Sequence, residues 1–233
     1  DGKVYSGAAA AAAAKVVLDG VTDVASTVTS GNTAAQTAVN ALALVSGVTG
    51  STYALTTAVD ALTGTANDDI FNANVTGAAG ASATVETLTS LDSVAGGLGA
   101  DQLNYTTVGG AALLATLTGV ENVNIVSDGD VTFSTNTVEV TGVNTIAARS
   151  VGGAINIDTK SDVTSVAITG SATTSDILDN GATGTDTLAT ISFTGASGAG
   201  TLASEALTTL NLTNIGAAGS MTNTGAAGTR ALT

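Results

Sequence analysis

The amino-acid sequence predicts a mainly β chain: a parallel β-solenoid with β-roll rungs, preceded by a short α-helical segment. Three observations carry this reading. Two short Gly- and Asp-rich segments fit one nine-residue turn-and-strand pattern. Strand-length stretches with apolar residues at every second position recur roughly every 20 residues, the length of one solenoid coil. Aromatic residues are scarce, with three Tyr and three Phe in 233 residues. A β-sandwich needs bulky side chains to fill a gap of about 10 Å between its sheets, whereas a thin solenoid can be filled by Val, Ile, Leu and Ala.

Residues 1–49 form the Ala-rich helical segment. Ser6 can cap a run from Gly7 to Val28, in which Ala8 to Ala14 supply high helix propensity and Lys15, Val16, Val17 and Leu18 continue it. Gly20 with the β-branched Val21 and Thr22 weakens its middle. A second helix starts at Thr33, where Ala34, Ala35, Ala38, Val39, Leu42 and Leu44 approximate one apolar face, and Gly47 and Gly50 end it.

Residues 50–233 form the Thr/Gly/Asp-rich β-solenoid domain. The predicted strands are Thr52–Thr57, Leu103–Val108, Val120–Val126, Val131–Ser134, Val138–Val140, Thr145–Ala148, Ala154–Asp158, Ser165–Thr169, Thr187–Thr194 and Thr208–Leu212. Apolar residues alternate within them, as in Val123 and Ile125, Ile155 and Ile157, or Ile191 and Phe193, and Gly, Asn, Asp or Ser bounds each one. A looser repeat accompanies them. Leu117-Thr-Gly-Val120-Glu-Asn-Val123-Asn-Ile125, Val140-Thr-Gly-Val143-Asn-Thr-Ile146, Val163-Thr-Ser-Val166-Ala-Ile168 and Leu207-Thr-Thr-Leu210-Asn-Leu212 vary one theme.

The nine-residue pattern is G-G-x-G-x-D-x-U-x, with U a large apolar residue. Gly96-Gly97-Leu98-Gly99-Ala100-Asp101-Gln102-Leu103-Asn104 is a complete copy, and Gly64-Thr65-Ala66-Asn67-Asp68-Asp69-Ile70-Phe71-Asn72 has Thr65 and Asn67 in place of two glycines. Glycine permits the tight turn and bares its carbonyls, the Asp adds a carboxylate, and the apolar residue anchors the following strand. Carbonyl and carboxylate oxygens together are the donor set of a hard cation, so the pattern points to calcium. Asp69 and Asp101 are the leading ligands. Gly64, Asn67, Gly97 and Gly99 offer carbonyls, and Asp68 either adds a carboxylate or faces water. Asp60 and Asp92 each precede a motif Asp by nine residues, which places them one turn earlier in a short roll. The two motif Asp residues are 32 residues apart, so they could share a site only if the intervening chain loops out or forms other rungs. Asp128 and Asp130 flank Gly129 in a loop that also suits calcium. Asp176, Asp179, Asn180 and Asp186 read as another oxygen-rich turn region. Glu121 is expected to satisfy backbone N–H groups at a rung corner.

Composition limits the function classes. There are 19 acidic against 5 basic residues, a net charge of −14, so a phosphate backbone would be repelled and nucleic acid is not an expected partner. Asp outnumbers Glu 15 to 4 and sits beside Gly, Asn, Ser and Thr, which suits turns rather than helix surfaces. The chain has no His and no Cys, so a Ser-His-Asp or Cys-His site and a typical zinc site are excluded. Gly96-Gly97-Leu98-Gly99 lacks the Lys of a phosphate loop. The expectation is a protein that is not an enzyme. No window holds the run of about 18 or more apolar residues that spans a bilayer as a helix. The opening Asp1-Gly2-Lys3 reads as mid-chain sequence, and the absence of Cys is compatible with secretion.

Three blocks carry a family resemblance. Tyr53-Ala-Leu-Thr-Thr-Ala-Val-Asp60-Ala-Leu-Thr-Gly64-Thr-Ala-Asn-Asp-Asp69-Ile-Phe71-Asn-Ala resembles an opening motif of bacterial surface-layer (S-layer) proteins of the RTX-related type. Leu88-Thr-Ser-Leu-Asp92-Ser-Val-Ala-Gly96-Gly-Leu-Gly-Ala-Asp101-Gln-Leu-Asn resembles the segment that follows it there, and Leu117-Thr-Gly-Val-Glu121-Asn-Val-Asn-Ile125 looks like the next rung. The blocks cover about residues 51 to 126 in the family's order. The resemblance implies an extracellular protein at the surface of a Gram-negative bacterium, exported without a cleaved leader. Its β domain would bind calcium and self-associate into a homo-oligomeric lattice. Anchorage to a cell-surface glycolipid, lipopolysaccharide, would run through a part not in this chain. The rival readings are a calcium-dependent adhesin or filament subunit and, more remotely, an ice-binding solenoid, whose regular Thr-x-Thr array the scattered Thr residues do not supply.

Overall fold

The computed structural model describes residues 49–76, 85–108, 111–113, 115–135, 139–159, 162–170, 175–179, 187–195, 200–204, 206–214 and 221–223. The chain divides into two compact units, 1–50 and 51–233. The described residues belong almost wholly to the second, and the helices expected over 1–49 lie outside them. Within the second unit the described residues are mainly β, without a helix.

Alternating patterns become parallel strands stacked coil upon coil. Numbered along the chain, the longest sheet contains β1 (Thr52–Ala54), β3 (Ile70–Ala73), β5 (Gln102–Thr107), β8 (Asn122–Ser127), β11 (Thr145–Ser150), β13 (Ser165–Thr169), β15 (Thr190–Thr194) and β17 (Thr209–Thr213), in that spatial order. A short sheet is built from β2 (Ala61–Thr63), β4 (Ser93–Ala95), β7 (Thr116–Thr118) and β10 (Val140–Thr141). A third contains β6 (Ala111–Leu113), β9 (Val131–Ser134), β12 (Ile155–Thr159), β14 (Ser175–Asp179), β16 (Gly200–Ala203) and β18 (Met221–Asn223). All fifteen strand pairings are parallel. This is a β-solenoid, and the parallel pairing rules out the sandwich. Each coil makes its hydrogen bonds with the coils on either side, so the fold is held together by nearest-neighbour contacts.

Register decides the core. Phe71, Leu103, Val123, Ile146, Val166 and Ile191 are stacked inward on successive strands of the longest sheet, and each is fully buried. Phe71, Phe133 and Phe193, all three of the chain's Phe residues, are among the largest buried side chains. Full burial of such a side chain contributes roughly 1.5–3 kcal/mol. At the first rung Tyr53 stacks flat on Phe71, with ring centroids 4.9 Å apart.

Two coil styles share this core. The first coils are β-roll-like, with three- or four-residue strands and six-residue turns, and strands begin every nine residues at Thr52, Ala61 and Ile70. The step from Asp69 to Asp101 is longer, 32 residues against 18 from Ser51 to Asp69. Within that longer step Thr76 and Val85 form an antiparallel bridge. From β5 onward the coils gain the third sheet, and apolar corner residues, Val120, Val143, Val163, Leu188 and Leu207, turn inward.

Some strand expectations need correction. Thr52–Thr57 ends at Ala54, because Thr56 and Asp60 close a turn. Thr187–Thr194 starts only at Thr190. Ser175–Asp179 is a strand paired with β12 rather than a turn region, since the backbone ladder outweighs the weak strand preference of Asp. Asn180 and Asp186 lie outside the described residues.

Candidate functional site

The oxygen-rich turns lie where the short sheet passes into the longest one. Gly64, Gly96, Gly119 and Gly142 each follow a short-sheet strand and are stacked in a column. The backbone ladder continues through it, with Gly64 N–H donating to the Ala95 carbonyl, Gly96 N–H to that of Thr118 and Gly119 N–H to that of Thr141. The Gly of the nine-residue motif and the Gly of the Leu-Thr-Gly-Val theme therefore occupy one corner. Contact here is too close for any side chain. A Cβ on Gly96 would lie 1.8 Å from the Gly119 carbonyl oxygen, and one on Gly64 would lie 1.9 Å from that of Gly96.

At the far end of the same turns runs a ladder of carboxylates. Ser51 N–H donates to Asp69 Oδ1 at 2.5 Å, Asp69 N–H to Asp101 Oδ1 at 2.7 Å, and Asp101 N–H to Glu121 Oε2 at 2.7 Å. Each acid thus caps the backbone of the preceding coil. In later coils the position passes to Asn144, Thr164, Ala189 and Thr208, linked by backbone bonds and by Thr164 Oγ1 to Asn144 Oδ1 at 2.7 Å. Carboxylates occupy this ladder position only in the first coils. Glu121 has the N–H-satisfying place its rung position predicts.

The structure brings Asp69 and Asp101 together on adjacent coils despite their 32-residue separation. Asp60 and Asp92 form the equivalent pair on the opposite turns, Asp60 N–H donating to Asp92 Oδ1 at 2.8 Å. Asp68 is not simply solvated, since its Oδ1 accepts the Ala100 N–H at 2.9 Å. Asn67 and Gly99 are stacked, and a Cβ on Gly99 would lie 2.7 Å from the Asn67 carbonyl oxygen. Asp128 and Asp130 stand apart, on the corner between the longest and third sheets. Asp130 Oδ1 there accepts the Ala154 N–H at 2.8 Å.

Within the turns one carboxylate oxygen differs from the rest. Thr56 N–H donates to Asp60 Oδ2 at 2.7 Å, Thr65 N–H to Asp69 Oδ2 at 2.5 Å, and Thr89 N–H to Asp92 Oδ2 at 2.6 Å. The residue four before Asp101 is Gly97, whose positive φ of 106° belongs to the left-handed region open to glycine. Asp101 Oδ2 is consequently buried with no hydrogen-bond partner. The space beside it is lined by the Gly119 carbonyl, since the Cβ position of Gly96 lies 2.4 Å from Asp101 Oδ2.

The two acids titrate in opposite directions. Burial pulls Asp69 upward, but donation from the Thr65 and Ser51 N–H groups and the Thr65 hydroxyl prevails and holds it below 3.8. Burial raises Asp101 above 3.8, the Asp69 N–H opposes this, and the charges of Glu121, Asp69 and Asp68 reinforce it.

The residues fit a hard cation. An orphaned buried carboxylate oxygen, a second carboxylate one coil away and a column of glycine carbonyls form an all-oxygen donor set. Among the described residues no three His, Cys, Asp or Glu side chains gather as a metal group, so an ion here would depend largely on carbonyls. Gly96, Gly119 and Thr65 were not among the expected site residues. The Leu-Thr-Gly-Val recurrence was the signal for Gly119, and the role of Thr65 depends on its donation across the turn.

Another acid with a buried oxygen, half-buried Glu86, follows the Thr76–Val85 bridge. Its Oε1 accepts the Thr107 hydroxyl at 2.7 Å and the Val108 N–H at 3.3 Å, while its Oε2 has no partner. Burial, with Glu86 nearby, pushes the Tyr105 phenol up to about 12. Sequence pattern held no sign of this cluster.

No family model matches the chain, and no curated protein matches its sequence.

Proposed function

We propose that this chain is the calcium-stabilised β domain of an extracellular structural protein that self-assembles into a surface lattice, as the S-layer resemblance implies. The single observation that carries the calcium reading is the buried, unpartnered Asp101 Oδ2 beside the glycine carbonyl column. Bound calcium supplies positive charge and vacant coordination positions for oxygen. Asp101 and Asp69 would hold it with the Gly96 and Gly119 carbonyls, and Gly97 keeps its N–H out of the carboxylate's way. The ladder from Ser51 to Glu121 fixes these oxygens in advance, so ion binding adds directly to the stability of the first coils. Later coils close with buried Val143, Val163, Leu188 and Leu207, and Asn144, Thr164, Ala189 and Thr208 hold the ladder position that Asp69, Asp101 and Glu121 hold in the first coils. The reading therefore confines calcium at this corner to the N-terminal coils.

The test is circular dichroism and electron microscopy of the protein in calcium and then in excess chelator. Sheet-like arrays that form in calcium and dissolve in chelator are expected. Assembly indifferent to chelator would sink the calcium reading. Long one-dimensional assemblies, or saturable binding to a receptor, would favour the filament or adhesin alternative.

A further inference from the structure

We infer that the outward face of the longest sheet is the surface through which copies of this chain associate, an inference that rests on the self-assembly proposed above. The register that stacks the core inward also aligns the alternate residues outward. One outward column runs Asn72, Asn104, Asn124, Ala147, Ala167 and Ser192 across successive strands. Its amides are locked to one another, Asn104 Nδ2 donating to Asn72 Oδ1 at 3.0 Å and Asn124 Nδ2 to Asn104 Oδ1 at 3.1 Å. The next column runs Thr106, Val126, Arg149, Thr169 and Thr194. Apart from Arg149 and Gln102 the face is thus short-chained, and its ordered amides cost little side-chain entropy to cover.

Charge selects the occupant. A chain of net charge −14 repels its own copies wherever carboxylates face outward. No outward position on these eight strands is acidic, and the one charged residue among them is Arg149, exposed and without an ion-pair partner among the described residues. At the rim where the strands begin, Asp69, Asp101 and Glu121 are turned onto backbone N–H groups, and the exposed acid Asp128 follows β8 at the other rim. The other faces differ. Asp158 stands on an outward position of the third sheet, and exposed Glu139 leads into the last strand of the short one. A second copy seated on the strands themselves therefore meets no strand carboxylate. Strands about 4.8 Å apart and about 3.3 Å per residue give this face roughly 550 Å². That is less than the roughly 800 Å² each partner contributes to a stable pair. A single contact would be weak and a repeated one cumulative, as a lattice requires.

The chain has no Cys, so single-cysteine variants report on each face. Thr169→Cys, on the inferred contact, and Thr132→Cys, exposed on the third sheet, would be labelled with a maleimide before and after assembly in calcium, with circular dichroism confirming the fold. Assembly should slow labelling at 169 by at least about tenfold, because the core of an interface excludes solvent, and leave 132 unchanged. Arg149→Glu should raise the critical concentration for assembly at least about fivefold through like-charge repulsion. Equal labelling at both positions in assembled protein, or assembly unaffected by Arg149→Glu, overturns the inference while self-assembly stands. Absence of assembly at any calcium level overturns both.

Discussion

Asp69 and Asp101, 32 residues apart in sequence, are joined by a hydrogen bond from the Asp69 backbone N–H to the Asp101 carboxylate at 2.7 Å. One oxygen of Asp101 thereby splices two coils. The other is buried without a donor, because Gly97 stands where Thr65 stands one coil earlier.

Asp101→Asn separates these two roles. The amide oxygen can still accept from Asp69, and its Nδ2 would replace the orphaned oxygen beside the Gly119 carbonyl. In chelator the variant should be more stable than the parent by about 1–3 kcal/mol, the cost of an unsatisfied buried polar group. It should also lose the stabilisation the parent gains from calcium. Thermal melts of both proteins, with and without calcium, provide the comparison; an unchanged calcium increment would remove Asp101 from the site.

The pH dependence without calcium should be biphasic. The folded pKa of Asp101 is raised above 3.8, so its ionisation opposes folding, and that cost is relieved as pH falls through the raised value. The folded pKa of Asp69 is lowered below 3.8, so its contribution is complete above the unfolded value and is lost as pH falls through the folded one. Stability should first rise on mild acidification and then drop. Urea melts across pH would test this, and Asp101→Asn should abolish the initial rise alone.

Gly96→Ala should be strongly destabilising, by about 4 kcal/mol or more, the range reserved for named steric failures. Its Cβ would sit 1.8 Å from the Gly119 backbone oxygen, which cannot move without breaking the ladder to Thr141. A variant that melts within a few degrees of the parent would contradict the stacking of this column.

Chelator should loosen the solenoid unevenly. Hydrogen exchange is expected to speed up over residues 52–104, where carboxylates form the ladder, and to change little over 145–194, where Asn144, Thr164 and Ala189 hold that position. Uniform acceleration along the stack would show that the ion matters beyond its own coils.

Much of this architecture was legible in the chain. Alternation at Val123 and Ile125, or Val166 and Ile168, marked inward positions because strand side chains point to opposite faces in turn. The spacing of Asp60, Asp69, Asp92 and Asp101 placed turns where turns occur. Strands of three residues, such as Ala61–Thr63 and Ser93–Ala95, carry too few positions for a period to register.

Pairing is what the tertiary structure alone decided. A local pattern states that a residue faces inward, but not which coil lies above it. Only the stacked backbone shows that Ile70 pairs with Gln102, 32 residues on, and that two different Gly motifs are one corner. The orphaned Asp101 oxygen belongs to the same class of fact: the carboxylate was visible in the sequence, and its missing donor depends on the φ of Gly97. Sequence specifies what each residue offers, because propensity, charge and bonding groups are local. Which offer is taken up depends on neighbours supplied by coils that lie 18 to 32 residues away.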